Sequence, residues 1–494
     1  MLTGVLITRM SGLPQQVTPS PEQSAARQQG MLTRWTPASR RRLADERRAA
    51  AEDAQKAQER LDAAASQLGQ TSAGVRIAAA NTLVLFADED PSYRQACIDV
   101  LCAALHEAPV ARPDDDDDDD DGSDKSSERW LAWRGDRACR YVILTVIAAH
   151  LRSDAAISWR GYDFDFSDVA FEASETQADA SERLSSFVGA GLTGSEVSFD
   201  GAQFTGGTVT FARARFSGAK VSFDGAQFGG AKVSFDGAQF AAGEVSFDRA
   251  QFAAGEIGFA GAQFTGGEVS FADATFSGAN VNFAGALFGG TKVGLLHAGI
   301  NGGAISFAGA EFAAGKVSLS SRFAGGEVAF TGTRFTGGVV SFLDAEFAGG
   351  VVGFLDAEFT SGEANFIGAV FTGTEVSFVG AEFVGAVISF VGAKFASGLI
   401  SFVGTEFRGS AVRFPWAEFT GGEIRFAGAN FDGGNVDFAQ AKFDGGEVDF
   451  TSAHFSRGLV DLSRAVIWSG PPTFDQWGAA PANLRLPAAG YRSA

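Results

Sequence analysis

The chain has 494 residues, more than one compact domain of roughly 100–200 residues needs, so two or more units or one elongated array are expected. A count of 63 Gly and 47 Phe against 4 Tyr and 3 Met is not that of an ordinary globular core, and it signals an internal repeat. The 39 Lys and Arg against 59 Asp and Glu give a net charge of −20, which argues against nucleic-acid phosphate as a direct partner.

The first residues, up to 37, carry Pro14, Pro19 and Pro21 with no helical or strand period, and read as a disordered N-terminus in which Met1 and Met31 are both candidate starts. Leu2 to Ile7 is too short for the apolar segment of a signal peptide. The longest apolar run elsewhere, Tyr141 to Ala149, is less than half a membrane span, so integral membrane insertion is not expected. Three cysteines, Cys97, Cys102 and Cys139, are too few to staple a secreted scaffold, and a cytoplasmic location is the simplest reading.

Residues 38–110 form a predicted helical region. Ala38 to Gln67 lacks Gly and Pro and favours one long exposed helix, with a basic cluster at Arg40, Arg41, Arg42, Arg47 and Arg48. Two amphipathic helices follow over 72–108, divided at Asp88 to Pro91. Cys102 and His106 share a ligand-like spacing but lack further ligands, so no metal site is assigned and the cysteines are expected to be buried and apolar. Residues 111–128, with eight consecutive aspartates from Asp114 to Asp121, read as a disordered linker. A further amphipathic helix is predicted at 129–152, then a capping coil at 153–196.

From Val197 the chain repeats every twelve residues, beginning VSFDGAQFTGGT and VTFARARFSGAK and continuing for 23 repeats over 197–467. Each repeat holds two Phe, alternately five and seven residues apart, and each Phe has a small or branched apolar residue two positions before it. Strand alternation points the two side chains of such a pair the same way. Phe199, Phe204, Phe211, Phe216, Phe378 and Phe383 are therefore read as inward core. Glycine supplies corners at Asp200-Gly201 and at Thr205 to Thr208. Twelve residues enclose too thin a space for opposed aromatic rings. The fold class is therefore mainly β: a right-handed β-helix, or solenoid, with two repeats (about 24 residues) per four-sided coil, preceded by an α-helical region. About eleven coils at ~4.8 Å give a stack on the order of 55 Å long. Leu295, Ile300 and a one-residue deletion at 319–323 predict a local kink over 293–323. Residues 468–494 form a C-terminal cap and tail in which Phe474 and Trp477 cover the last coil.

Ala202-Gln203-Phe204 and Ala226-Gln227-Phe228 closely resemble the unit of the pentapeptide-repeat family, and Tyr162 to Phe171 resembles its first coil. Every second unit departs from that pattern by a two-residue expansion, which suggests a rectangular coil. The helical segments at 64–83, 94–102 and 142–154 resemble the preamble of actinomycete members. The resemblance covers about residues 60–470 and implies fold much more strongly than activity.

The four histidines are scattered and the Gly-rich runs recur as corners, so neither an enzyme nor a cofactor site is expected. The residue after each first Phe should face outward. It is Asp in early repeats and aliphatic later, giving two columns on opposite faces, Leu343/Ile367/Val391 and Leu355/Val379/Val403. Glu346, Glu358, Glu382, Glu406 and Glu418 are expected to build acidic rows beside them. Residues 197–467 hold 16 basic and 26 acidic side chains. The favoured function is a non-catalytic scaffold for a protein partner, and a homodimer stays open. One alternative is a DNA mimic acting on a topoisomerase, which the pentapeptide resemblance suggests. Another is a membrane-peripheral protein held by the Arg40 to Arg48 helix.

Overall fold

A computed structural model describes residues 37–111, 113, 124–152, 154–171, 185–193, 196–475 and 481–487. The expected disordered N-terminus before Pro37, the aspartate run and Trp477 lie outside the described residues. Four helices precede the repeat: α1 (Pro37–Leu68), α2 (Ala73–Glu89), α3 (Arg94–Ala103) and α4 (Asp124–Leu151). The chain up to Ala63 is one compact unit and the chain from Ala64 another. Between Asp45 and Arg60 helix α1 is almost wholly exposed, with i,i+4 side-chain bonds such as Gln55 to Glu59 at 2.9 Å. Helix α4 begins at Asp124, five residues earlier than expected from composition.

Within the second unit, α2 packs on α3 and α4 around Leu83, Phe86, Cys97, Leu101, Cys139 and Ile147. These helices dock on the start of the β region. The Gln95 side chain donates to the Asp163 carbonyl and accepts from its N–H, both at 2.9 Å, so a helix side chain substitutes for a neighbouring strand. Trp159, fully buried, stacks on His150 at 4.2 Å and donates its indole N–H to Asp88 at 2.9 Å.

From Phe164 the chain winds into a solenoid of about 12 turns made of parallel strands. Residue i pairs with i+24, as in Phe204 with Phe228 and Phe228 with Phe252. Two twelve-residue repeats thus close one coil. The inward rings form four columns, which run through Phe199, Phe204, Phe211 and Phe216, all buried, and the first three start one coil earlier at Phe166, Phe171 and Phe187. Along each column successive rings stack face to face: Phe199 on Phe223 at 4.7 Å and 3°, Phe211 on Phe235 at 5.0 Å and 7°. Across the interior, Phe199 meets Phe211 edge to face at 5.7 Å and 85°. Both arrangements suit the aromatic quadrupole.

The first expected corner recurs in coil after coil, and the second, present at Thr205 to Thr208 between the strands Gln203–Phe204 and Thr208–Thr210, varies between coils. At Asp200-Gly201 the chain turns, with Gly201 at φ +67° and the Ala202 N–H donating to the Phe199 carbonyl at 3.1 Å. In other coils the equivalent segment stays in the ladder, as in the continuous strands Arg215–Ser222 and Gln239–Ser246, whose pairing shifts by a bulge between Phe240 and Gly243. A glycine at φ +99°, Gly243, permits this without breaking the strand. The deletion at 319–323 leaves the ladders unbroken. Gly299 pairs with Arg322 and Ala304 with Glu327, an offset of 23, because the missing residue comes out of the corner. At the far end Phe474 stacks on Phe450 at 5.2 Å, and Leu484–Arg485 adds a short strand beside Val460 and Asp461.

Two expectations follow for stability. Phe378 stacks between Phe354 and Phe402 at 4.7 and 4.8 Å. Phe378→Ala should cost about 3–5 kcal/mol in chemical denaturation, and Phe378→Leu, which copies the residue at 295 and 319, clearly less. A Cβ on Gly243 would stand 2.1 Å from the Ala219 carbonyl oxygen, whereas one on Gly404 (φ +66°) meets nothing within 4 Å. Gly404→Ala should then cost only the left-handed backbone strain of about 1–2 kcal/mol. Gly243→Ala should additionally raise hydrogen exchange in the strands 215–222 and 239–246.

Candidate partner surface

In the early coils the outward residue after the first Phe is an aspartate, and it serves the coil itself. The Asp200 carboxylate accepts the Ser222 hydroxyl and the Asp224 N–H (3.1 Å), and Asp224 repeats this with Ser246 and Asp248 (3.2 Å). The later coils replace this ladder with carbon. Leu343, Ile367 and Val391 lie on successive coils, linked by the Asp344 N–H to the Ile367 carbonyl (2.9 Å) and the Gly368 N–H to the Val391 carbonyl (3.0 Å). Leu355, Val379 and Val403 are related in the same way. Phe342 and Phe354, each just before the first residue of its column, meet edge to face across the core at 6.3 Å, so the two columns lie on opposite sides. Leu343 and Leu355 are each 41% exposed, and the four aliphatics above them are half-buried.

The glutamates do not form one surface. Glu358, Glu382 and Glu406 are direct neighbours in one ladder. Glu346 and Glu418 belong to the other ladder, where Val370 and Lys394 separate them and Lys442 binds Glu418 at 2.7 Å. A spacing of twelve alternates between faces, and only residues 24 apart become neighbours. Beyond the acidic row, Arg408 reaches Glu382 at 3.6 Å and pairs with Glu406.

Sequence patterning missed Trp416. It occupies a corner with φ +57°, where the preceding coils have Gly368 and Gly392, and it is 62% exposed beside Pro415. A bulky residue in that left-handed conformation is a backbone outlier, and the Pro-Trp pair was the signal available. It also missed a polar cluster under the helical cap. There Arg76 Nη2 donates to Asp136 at 2.8 Å and Arg140 Nε at 3.1 Å, while Arg140 also holds the Leu105 carbonyl at 3.0 Å. These bonds fasten the end of the α3 segment to α4.

Among the described residues no three His, Cys, Asp or Glu side chains form a group able to hold a metal ion. No helix among them is long and apolar enough to cross a membrane. No family model, no curated protein and no solved structure matches the chain.

All three cysteines are fully or almost fully buried. Burial pushes the Cys102 thiol up to about 12 and raises that of Cys139. Both therefore stay protonated at mildly alkaline pH, where a thiol reagent should label neither until denaturant is added. Rapid stoichiometric labelling of the folded chain would contradict this packing.

Proposed function

We propose that the chain is a non-catalytic, cytoplasmic interaction scaffold, an expanded variant of the pentapeptide-repeat architecture whose outer surface holds a protein partner. The observation that carries this reading is the pair of aliphatic columns begun by Leu343 and Leu355, each 41% exposed, the first on the side where the early coils carry Asp200, Asp224 and Asp248 and the second where they carry Asp236 among alanines. Apolar side chains stacked on a solvent face mark contact surfaces. DNA mimicry is the weaker reading. In the row Lys220, Glu244, Glu268, Lys292 and Lys316 neighbouring coils carry both signs, and a phosphate-like face needs one.

Affinity capture with the full chain, repeated with Val379→Asp/Val391→Asp, tests the scaffold. A protein retained by the native chain and lost with the double variant is the expected result. Recovery of identical proteins by both baits would remove the aliphatic columns from the contact.

A further inference from the structure

The repeat region is not uniformly acidic. Between Arg334 and Arg408 it carries eight carboxylates and one cation, Lys394, while the rest of 197–467 holds 18 acidic and 15 basic side chains. The aliphatic columns occupy this same stretch. On one side of the solenoid the two features lie next to each other. Leu355, Val379 and Val403 form one column in the turn, and three residues further along the chain, past the corner, Glu358, Glu382 and Glu406 at the start of the next strand form a second. The corner between them narrows to glycine at 380 and 404, and at Gly404 it is open.

The acidic row works against the fold. Like charges directly opposite on neighbouring strands are destabilising. One coil earlier, the same row pairs Glu311 with Arg334 at 3.6 Å; Arg334 is also the ladder neighbour of Glu358, and the alternation of sign stops after it, at Glu382. Arg408 reaches Glu382 and Glu406, so along the row two arginines are shared among the four carboxylates of Glu311, Glu358, Glu382 and Glu406. A ligand that brings cations to this row relieves the repulsion, and one that brings apolar groups as well covers the aliphatic column. Neighbouring coils lie ~4.8 Å apart, close to the ~5.4 Å pitch of an α-helix, so a helix laid along the stack sets successive turns against successive coils.

We propose that the partner of this face is a cationic amphipathic protein helix, its apolar stripe on Leu355, Val379 and Val403 and its Lys or Arg side chains on Glu358, Glu382 and Glu406. The proposal rests on the scaffold reading and adds to it the chemistry of the bound segment. Charge complementarity selects the sign, and the aliphatic column excludes a ligand that is merely basic.

The test is fluorescence anisotropy on the full chain with three labelled peptides of about 15 residues. One is a Leu/Lys helix with an apolar stripe, the second is its scramble without a stripe, and the third has Glu in place of Lys. The first should bind one to one and weaken at least about tenfold between about 50 and about 500 mM salt. Glu358→Gln/Glu382→Gln/Glu406→Gln and, separately, Val379→Ser should each weaken it about tenfold or more, with Glu244→Gln/Glu268→Gln leaving it unchanged. Circular dichroism confirms that each variant is folded. Equal binding of the scramble, or an equal loss with the Glu244/Glu268 variant, overturns the proposal in favour of diffuse attraction to an acidic surface. Binding of the Glu peptide, lost with Val379→Ser, overturns the charge assignment but leaves the scaffold reading intact. Self-association of the chain lost with the triple Gln variant reassigns the face to a second copy. Failure of all three peptides overturns the partner chemistry, and capture with the Val379/Val391 variant then decides the scaffold reading independently.

Discussion

Parallel strands stack at ~4.8 Å, and that is also a distance at which aromatic rings can lie face over face. The Phe columns exploit this coincidence. Phe216 over Phe240 is 4.8 Å and 3°, and Phe414 over Phe438 is 4.8 Å and 4°. Hydrogen bonding of the backbone and stacking of the rings therefore demand the same translation, so neither is compromised for the other. The coil length follows from the same geometry. Rings 24 residues apart are parallel, whereas rings twelve apart, such as Phe235 and Phe247, meet at 89° and 6.3 Å. A twelve-residue coil would stack the very rings that the structure sets on edge.

Because each coil contacts chiefly its neighbours, stability is close to a sum along the stack, and the two ends need separate closure. The N-terminal end is closed by the helical region through polar bonds made to backbone, such as Gln95 to Asp163 and His106 Nε2 to the Asp165 carbonyl at 3.2 Å. At the other end the chain closes itself with Phe474 and Leu484. Inside the stack the few inward hydroxyls are satisfied locally. Thr333 donates to the Phe307 carbonyl and Thr405 to the Phe378 carbonyl, both at 2.7 Å. A threonine thus replaces an inward alanine without leaving an unpaired polar group.

The solenoid was legible in the sequence because its period and its alternation are both carried by side chains: Phe at fixed spacing, with Val or Ala two before it. What was illegible is carried by backbone. Asp200-Gly201 and Ala242-Gly243 both offer a glycine where a turn is wanted, yet the first is a true corner and the second is a bulge inside a strand. The expected kink at 293–323 failed for a related reason. A deletion looks like a defect in a one-dimensional pattern, but one residue lost at a corner does not move the ladders on either side. The acidic rows were half legible. Glu358, Glu382 and Glu406 are 24 apart and become neighbours, whereas Glu346 is twelve before Glu358 and lands on the other ladder. Asp136 between Arg76 and Arg140 depends on helices that are distant in sequence, and no local spacing announces it.

The change in the outward residue along one side, from Asp200 and Asp224 in the early coils to Leu343 and Ile367 in the later ones, separates what the fold needs from what it merely tolerates. The aspartates make bonds to the next coil, and replacing them with aliphatic side chains gives up those bonds. The interior does not respond to the exchange. Phe354 stacks on Phe378 at 4.7 Å and 6°, as Phe199 does on Phe223 at 4.7 Å and 3°. An apolar exterior in the later coils therefore brings the stack neither better ring packing nor more hydrogen bonds, and it exposes carbon to water. The acidic row beside it adds like-charge repulsion. Two unfavourable features placed side by side on coils whose cores are unchanged are not accounted for by the coil itself, and the proposed helix would supply the missing term, because a surface that is costly alone becomes favourable once it is covered.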